Sequence, residues 1–104
     1  MTPIESNANA PRARLAARAD SFDPVVASAC GAVLRSWRLD RGVAQDAFAL
    51  AAGIDRSYYG KLERGERQPS LSVLLKCAGA LSVPAATLVG AIESSLRQSR
   101  QGTE

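Results

Sequence analysis

From Phe22 onward, apolar residues recur at the spacing of an α-helix in five short runs, separated by glycine, proline and small polar residues. Val26, Cys30, Val33, Leu34 and Trp37 form the first run. Asp23-Pro24 precedes it: a carboxylate to accept from free N–H groups, and a proline suited to the first turn. Phe22 stands where it can staple onto those turns. The helix is expected to run to about Arg41 and stop at Gly42, which takes the left-handed conformation at little cost. A second helix is predicted over 45–52, with Phe48, Ala49 and Ala52 facing inward and Gly53 ending it. Ile54 anchors the turn, and Asp55 caps a third helix over 56–64. Tyr59 and Leu62 share that helix's inner face; Arg56, Ser57, Gly60 and Lys61 point elsewhere. Gly65 closes it.

Gln68-Pro69-Ser70 reads as a loop leading into a capped fourth helix over 71–81, with Leu71, Leu74, Leu75 and Ala78 as its buried stripe. Ser82-Val83-Pro84 opens a fifth helix running to Gln98, along which Leu88, Val89, Ile92 and Leu96 stack. No strand alternation or internal repeat appears, so the expected fold is an all-α assembly of five short helices. Residues 1–22 contain almost no large apolar residue and carry Arg12, Arg14 and Arg18. They read as a disordered basic arm, either lying along phosphates or a minor groove, or simply solvated. The folded domain is expected to span 23–98, with 99–104 a frayed tail.

At 104 residues there is room for one domain. Aromatic residues make up only 5% of the chain, so the core must be built of Ala and Leu and is marginal alone; dimerisation would help it. The net charge of +3 fits a nucleic-acid partner but excludes little. Cys30 and Cys77 are far apart and there is no histidine, so the usual zinc site is not assembled; buried reduced thiols are expected, with no metal and no cofactor. No apolar run reaches the ~20 residues of a membrane span. The start, Met1-Thr2-Pro3-Ile4-Glu5, has no signal pattern, and a cytoplasmic location is expected. Without histidine, a phosphate loop or paired carboxylates in a recognisable setting, an enzyme is not expected.

Two short helices joined by a glycine turn, the second with polar residues on one side, are a means of presenting a helix to a DNA groove. Around them stand Leu34, Arg35, Arg38, Gly42, Gln45, Ala49, Gly53, Ile54, Glu63, Arg64, Gly65, Pro69, Ser70 and Leu71. In this register the chain resembles, over about 30–90, the phage-repressor or Cro type helix-turn-helix (XRE) family. The resemblance implies a five-helix lambda-repressor-type domain and a sequence-specific DNA-binding transcription regulator. It implies that Gln45 holds a phosphate and braces a side chain of the third helix. Arg56, Ser57 and Lys61 would face base edges, and Tyr58 would contact phosphate or sugar. Arg64 and Arg67 would lie near phosphate. Arg38 and Glu63 match a partly buried ion pair tying the first helix to the third.

The chain departs from the family at three positions. Ala44 removes a side-chain cap from the second helix. Tyr59 replaces an aliphatic residue, and its hydroxyl must reach a partner or the solvent edge. Gly60 sits mid-helix, either to let DNA approach or as a neutral surface residue.

One such domain reads few base pairs, whereas a symmetric pair reads two half-sites of a palindromic operator. Leu88, Val89, Ile92 and Leu96 are assigned to the homodimer interface, with packing onto the chain's own core as the alternative. A restriction–modification controller is one compatible subtype. A competing function is a protein-interaction module, such as an antitoxin or anti-repressor, on the same fold.

Overall fold

The structure is a computed structural model that describes residues 21–101, with the side chains of 21–99. Residues 1–20 of the expected arm, with Arg12, Arg14 and Arg18, and the last three residues lie outside the described residues. Five helices follow in order: α1 (Pro24–Asp40), α2 (Gln45–Ala52), α3 (Arg56–Glu63), α4 (Leu71–Leu81) and α5 (Ala85–Gln101). Among the described residues there is no strand, and no single helix is long and apolar enough to cross a membrane.

Several helix boundaries have a local cause. The Asp23 carboxylate accepts from the N–H groups of Val25 and Val26 at 3.0 and 3.2 Å, satisfying two donors that the first turn leaves free. Ser70 Oγ does the same for Val73 N–H at 3.2 Å. Ala44 gives α2 no side-chain cap, as expected of an alanine there. Ser82 ends α4 in the left-handed region, φ 60°, a conformation that side-chain-bearing residues seldom adopt. α5 continues through Gln101 rather than stopping at Gln98, so part of the expected frayed tail is helical. Phe22, expected to staple onto the first turns of α1, remains exposed.

α1 packs against α3 and α5, while α4 packs against α2 and α5. Leu34, Phe48, Tyr59, Leu62, Cys77, Leu81, Leu88 and Ile92 fill the common core, with the small Ala49 and Ala78 between them. The rings of Phe48 and Tyr59 meet with centroids 5.1 Å apart, tilted by 40°. Cys30 and Cys77 are buried free thiols, and burial raises both pKa values, that of Cys77 to about 11.

Two expected stripes are corrected. In α4, Leu71 and Leu75 lie on the surface, at 69% and 52% exposure, and Cys77, Ala78 and Leu81 face the core. The buried seam follows the small cysteine, which lets α4 sit close to its neighbours. In α5, Leu88 and Ile92 are buried in the chain's own core and offer no surface to a second copy. Leu96 is half-buried against the same core, and Val89 is exposed. The reason is volume: a core so rich in Ala and Cys needs the large side chains of α5 to fill it.

Candidate nucleic-acid interface

α2, the turn at Gly53 and α3 form one rigid corner. Gly53 takes φ 73°, and the N–H groups of Gly53 and Ile54 donate back to the Leu50 and Ala49 carbonyls at 3.1 and 2.9 Å. Asp55 then opens α3, its carboxylate accepting from Tyr58 N–H at 2.9 Å. Tyr59, Gly60, Leu62 and Glu63 are buried, which turns Arg56, Ser57 and Arg64 outward. Tyr58 and Lys61 lie half-buried between these two sides.

The orientation of α3 is locked from beneath by a charge cluster. Arg38 of α1 donates through Nε and Nη2 to the two carboxylate oxygens of Glu63, at 2.6 and 2.9 Å. Its Nη1 donates to the Val43 carbonyl at 2.7 Å, just ahead of α2. Gln45 Nε2 donates to Glu63 Oε1 at 2.9 Å, so the brace from the second helix expected of this residue is present. Burial pushes the Glu63 carboxyl up, but Arg38, the neighbouring Tyr59 hydroxyl and Gln45 together outweigh it and hold it below the usual carboxylate value. The bond to Glu63 raises the Arg38 pKa in turn. Tyr59 departs from expectation. Its hydroxyl is buried beside Glu63, reaching neither a hydrogen bond of regular geometry nor the solvent edge, and burial strongly raises its pKa.

The outer face carries charges that are already partnered. Arg56 Nη1 lies 3.2 Å from Asp46 Oδ2, and Arg64 Nε lies 2.9 Å from Glu66 Oε2. The Glu66 bond raises the Arg64 pKa, and Arg64 lowers that of Glu66. Exposed pairs of this kind contribute little and open readily. Arg67 is exposed and donates to the Glu66 carbonyl at 3.2 Å. Lys61 takes part in no ion pair within 4.0 Å among the described residues. Gly60 is buried and so is not a neutral surface position. A Cβ there would lie 3.2 Å from Arg64 Nη1 and 3.4 Å from Gln45 Oε1, so the glycine makes room for both side chains.

Three contributors escaped the sequence reading. Gly31 lets α1 lie directly on the end of α3, since a Cβ there would overlap the Leu62 and Glu63 carbonyl oxygens. Gln68 donates to the Ser21 carbonyl and accepts from Asp23 N–H, both at 2.7 Å, tying the start of α1 to the loop after α3. Asp46 holds Arg56 across the turn. Only Gly31 left a local sign, a glycine inside a helical run.

Comparison with known proteins agrees with this geometry. A helix-turn-helix family model matches residues 34–88, which is 55 of the 104 positions. The chain is similar to the HTH-type transcriptional regulator YazB of Bacillus subtilis, 38% identical over 55 residues that cover 53% of this chain and 80% of YazB. It spans 35% and 42% of two longer relatives, a bacterial HTH-type regulator and a phage immunity repressor. Among solved structures it resembles the clp gene regulator ClgR from Corynebacterium glutamicum, with a TM-score of 0.68 and 32% identity, covering 75% of this chain and 84% of ClgR. The restriction-modification controller protein C.AhdI from Aeromonas hydrophila superposes with a TM-score of 0.57 and 40% identity, covering 60% and 94% respectively. With the braced corner, the capped α3 and a family match over more than half its length, the chain belongs to the helix-turn-helix family of phage-repressor (XRE) type, DNA-binding transcription regulators rather than enzymes.

Proposed function

We propose that this regulator acts as a homodimer on a palindromic operator, with α3 of each copy entering the major groove. The observation that carries the reading is the two-sidedness of α3: an inner side locked by Glu63, and an outer side presenting Arg56 and Ser57 with the half-buried Lys61 at its edge. In this reading those three residues face base edges. Tyr58, Arg64, Arg67 and Gln45 lie along sugar and phosphate, supplying affinity and register while the base contacts supply choice. The second copy meets the α5 side around the exposed Val89 and the half-buried Leu96. A cytoplasmic location follows from this role.

Selection of bound duplexes from a random DNA pool, followed by titration at several salt concentrations, tests the proposal. It should return inverted half-sites about 34–36 Å apart, one helical turn. Log affinity should fall steeply as log salt rises, as displaced counterions require. No duplex retained at low salt, or a slope near zero, overturns it.

One observation favours a second reading, a protein-interaction module of antitoxin or anti-repressor kind: Asp46 and Glu66 partner two arginines on the same face. Alanine at Arg56 and Lys61 separates the two. Loss of duplex binding supports the regulator, and retained partner binding without a DNA phenotype supports the module.

A further inference from the structure

We propose that Asp46 is a positioning residue that sets base specificity: it holds the Arg56 guanidinium ready for a guanine edge while opposing a phosphate at the same place. The inference rests on the DNA-binding reading above and deepens it. Asp46 is the second residue of α2 and Arg56 the first of α3, and the 3.2 Å contact closes the corner across the Gly53 turn. It engages Nη1 alone, leaving Nε and Nη2 without an acceptor among the described residues. A guanidinium carries five N–H donors in a rigid fork, so one edge can hold Asp46 while the other meets guanine O6 and N7. Arg56 and Asp46 border a shallow cleft with the apolar Ala47, Leu50 and Ile54, beside which a long arginine stem can lie. The exposed pair biases an otherwise mobile side chain toward one position at the tip of the helix without fixing it, so less of its freedom is lost on binding.

The sign of the Asp46 charge makes the second half of the argument. Guanine O6 and N7 are neutral acceptors, whereas a phosphate is an anion. A carboxylate paired to Arg56 opposes phosphate approach by like-charge repulsion and leaves a guanine contact nearly unaffected. Without Asp46, Arg56 swings to the nearest phosphate and contributes affinity with no sequence content. The Arg64–Glu66 pair serves as a contrast. Its partners are two residues apart at the far end of α3, so removing Glu66 changes affinity for all sequences alike.

The test uses the intact chain and its Asp46→Asn and Glu66→Gln variants, both altered at exposed side chains. Binding is measured at one salt concentration to a pool-selected duplex and to a shuffled duplex of equal length and composition. Asp46→Asn should bind the shuffled duplex more tightly and lose about five-fold in selected-to-shuffled ratio, the lower end of what one bidentate arginine–guanine contact supplies. Repeating the pool selection with this variant should blur the preference at one base pair in each half-site. Glu66→Gln should raise both affinities and keep the ratio. An Asp46→Asn ratio equal to that of the unaltered chain, or a blur spread evenly over the half-site, overturns the proposal while leaving the DNA reading intact. No duplex binding by the unaltered chain overturns both.

Discussion

Arg38 of α1 and Glu63 of α3 face each other through two hydrogen bonds, 2.6 and 2.9 Å long, with both side chains withdrawn from water. Removing two charges from water is expensive, and their attraction repays it only where the remaining donors and acceptors are satisfied. Here Val43 and Gln45 supply those partners, so α1, α2 and α3 share one fixed centre. Glu63→Ala alone should destabilise the fold by about 3–5 kcal/mol, because it strands a buried guanidinium. Arg38→Met combined with Glu63→Leu should cost well below the sum of the single changes. A double-mutant cycle from urea denaturation measures this coupling. Additive losses would show that the two side chains act independently.

The same cluster makes stability depend on pH at both ends. Folding holds Glu63 below its ordinary value of 4.5. Its contribution is fully present above 4.5 and is lost as pH falls through the lower, folded value, because the unfolded chain takes up the proton first. Cys77 shifts the other way, from 9.0 to about 11, and Tyr59 also shifts upward from 10.0. Their contributions are complete below 9.0 and are lost as pH rises, since only the unfolded chain ionises there. The urea midpoint should therefore fall on the acid side below pH 4.5 and on the alkaline side above pH 9. Cys77→Ala should flatten the alkaline fall between 9 and 11; an unchanged alkaline slope assigns it to other groups.

Two glycines on helices should respond in opposite directions to alanine. At Gly31 the new Cβ meets backbone carbonyls of α3 that cannot rotate away, so α1 and α3 must separate. Gly31→Ala should destabilise by about 1–3 kcal/mol, the usual range for overpacking. At Gly79 a Cβ meets nothing within 4 Å and the backbone is ordinary helix. Gly79→Ala should stabilise by about 0.4–1 kcal/mol, chiefly by restricting the unfolded chain. Thermal melts of both variants beside the unaltered chain check the pair. Equal responses would mean that α1 does not rest on α3 as closely as described.

What could be read from the residues divides by the range of the interactions involved. Asp23, Asp55 and Ser70 act on N–H groups two or three residues away, and Gly42, Gly53 and Gly65 answer to their own φ, so helix ends were legible. The outward side of α3 was legible too, because Tyr59 and Leu62 declare its inner side. The fates of Leu75 and Leu88 were not. Helical spacing marks both as apolar, but which one faces the core depends on how close Cys77 and the alanines let neighbouring helices come. At the site, the Arg38–Glu63 pair entered through the family resemblance. The partners of Arg56 and the latch from Gln68 to Ser21 bridge 10 and 47 residues, beyond any local pattern.

The bare start of α2 offers the last prediction. Ala44 occupies the cap position with φ −68° and ψ 154°, an extended backbone that serine adopts readily, and no side chain there accepts from the first turn. Asp23, Asp55 and Ser70 show that three other helices of this fold use that bond. Ala44→Ser should therefore stabilise the fold by about 1 kcal/mol, read as a higher urea midpoint with an unchanged slope. The hydroxyl also stands beside Gln45, at a helix end whose free N–H groups favour anions. If that end lies against the DNA backbone, the variant should bind selected and shuffled duplexes more tightly by the same factor, since a phosphate contact carries no sequence content. Added stability with unaltered affinity for both duplexes would place the start of α2 away from the phosphates.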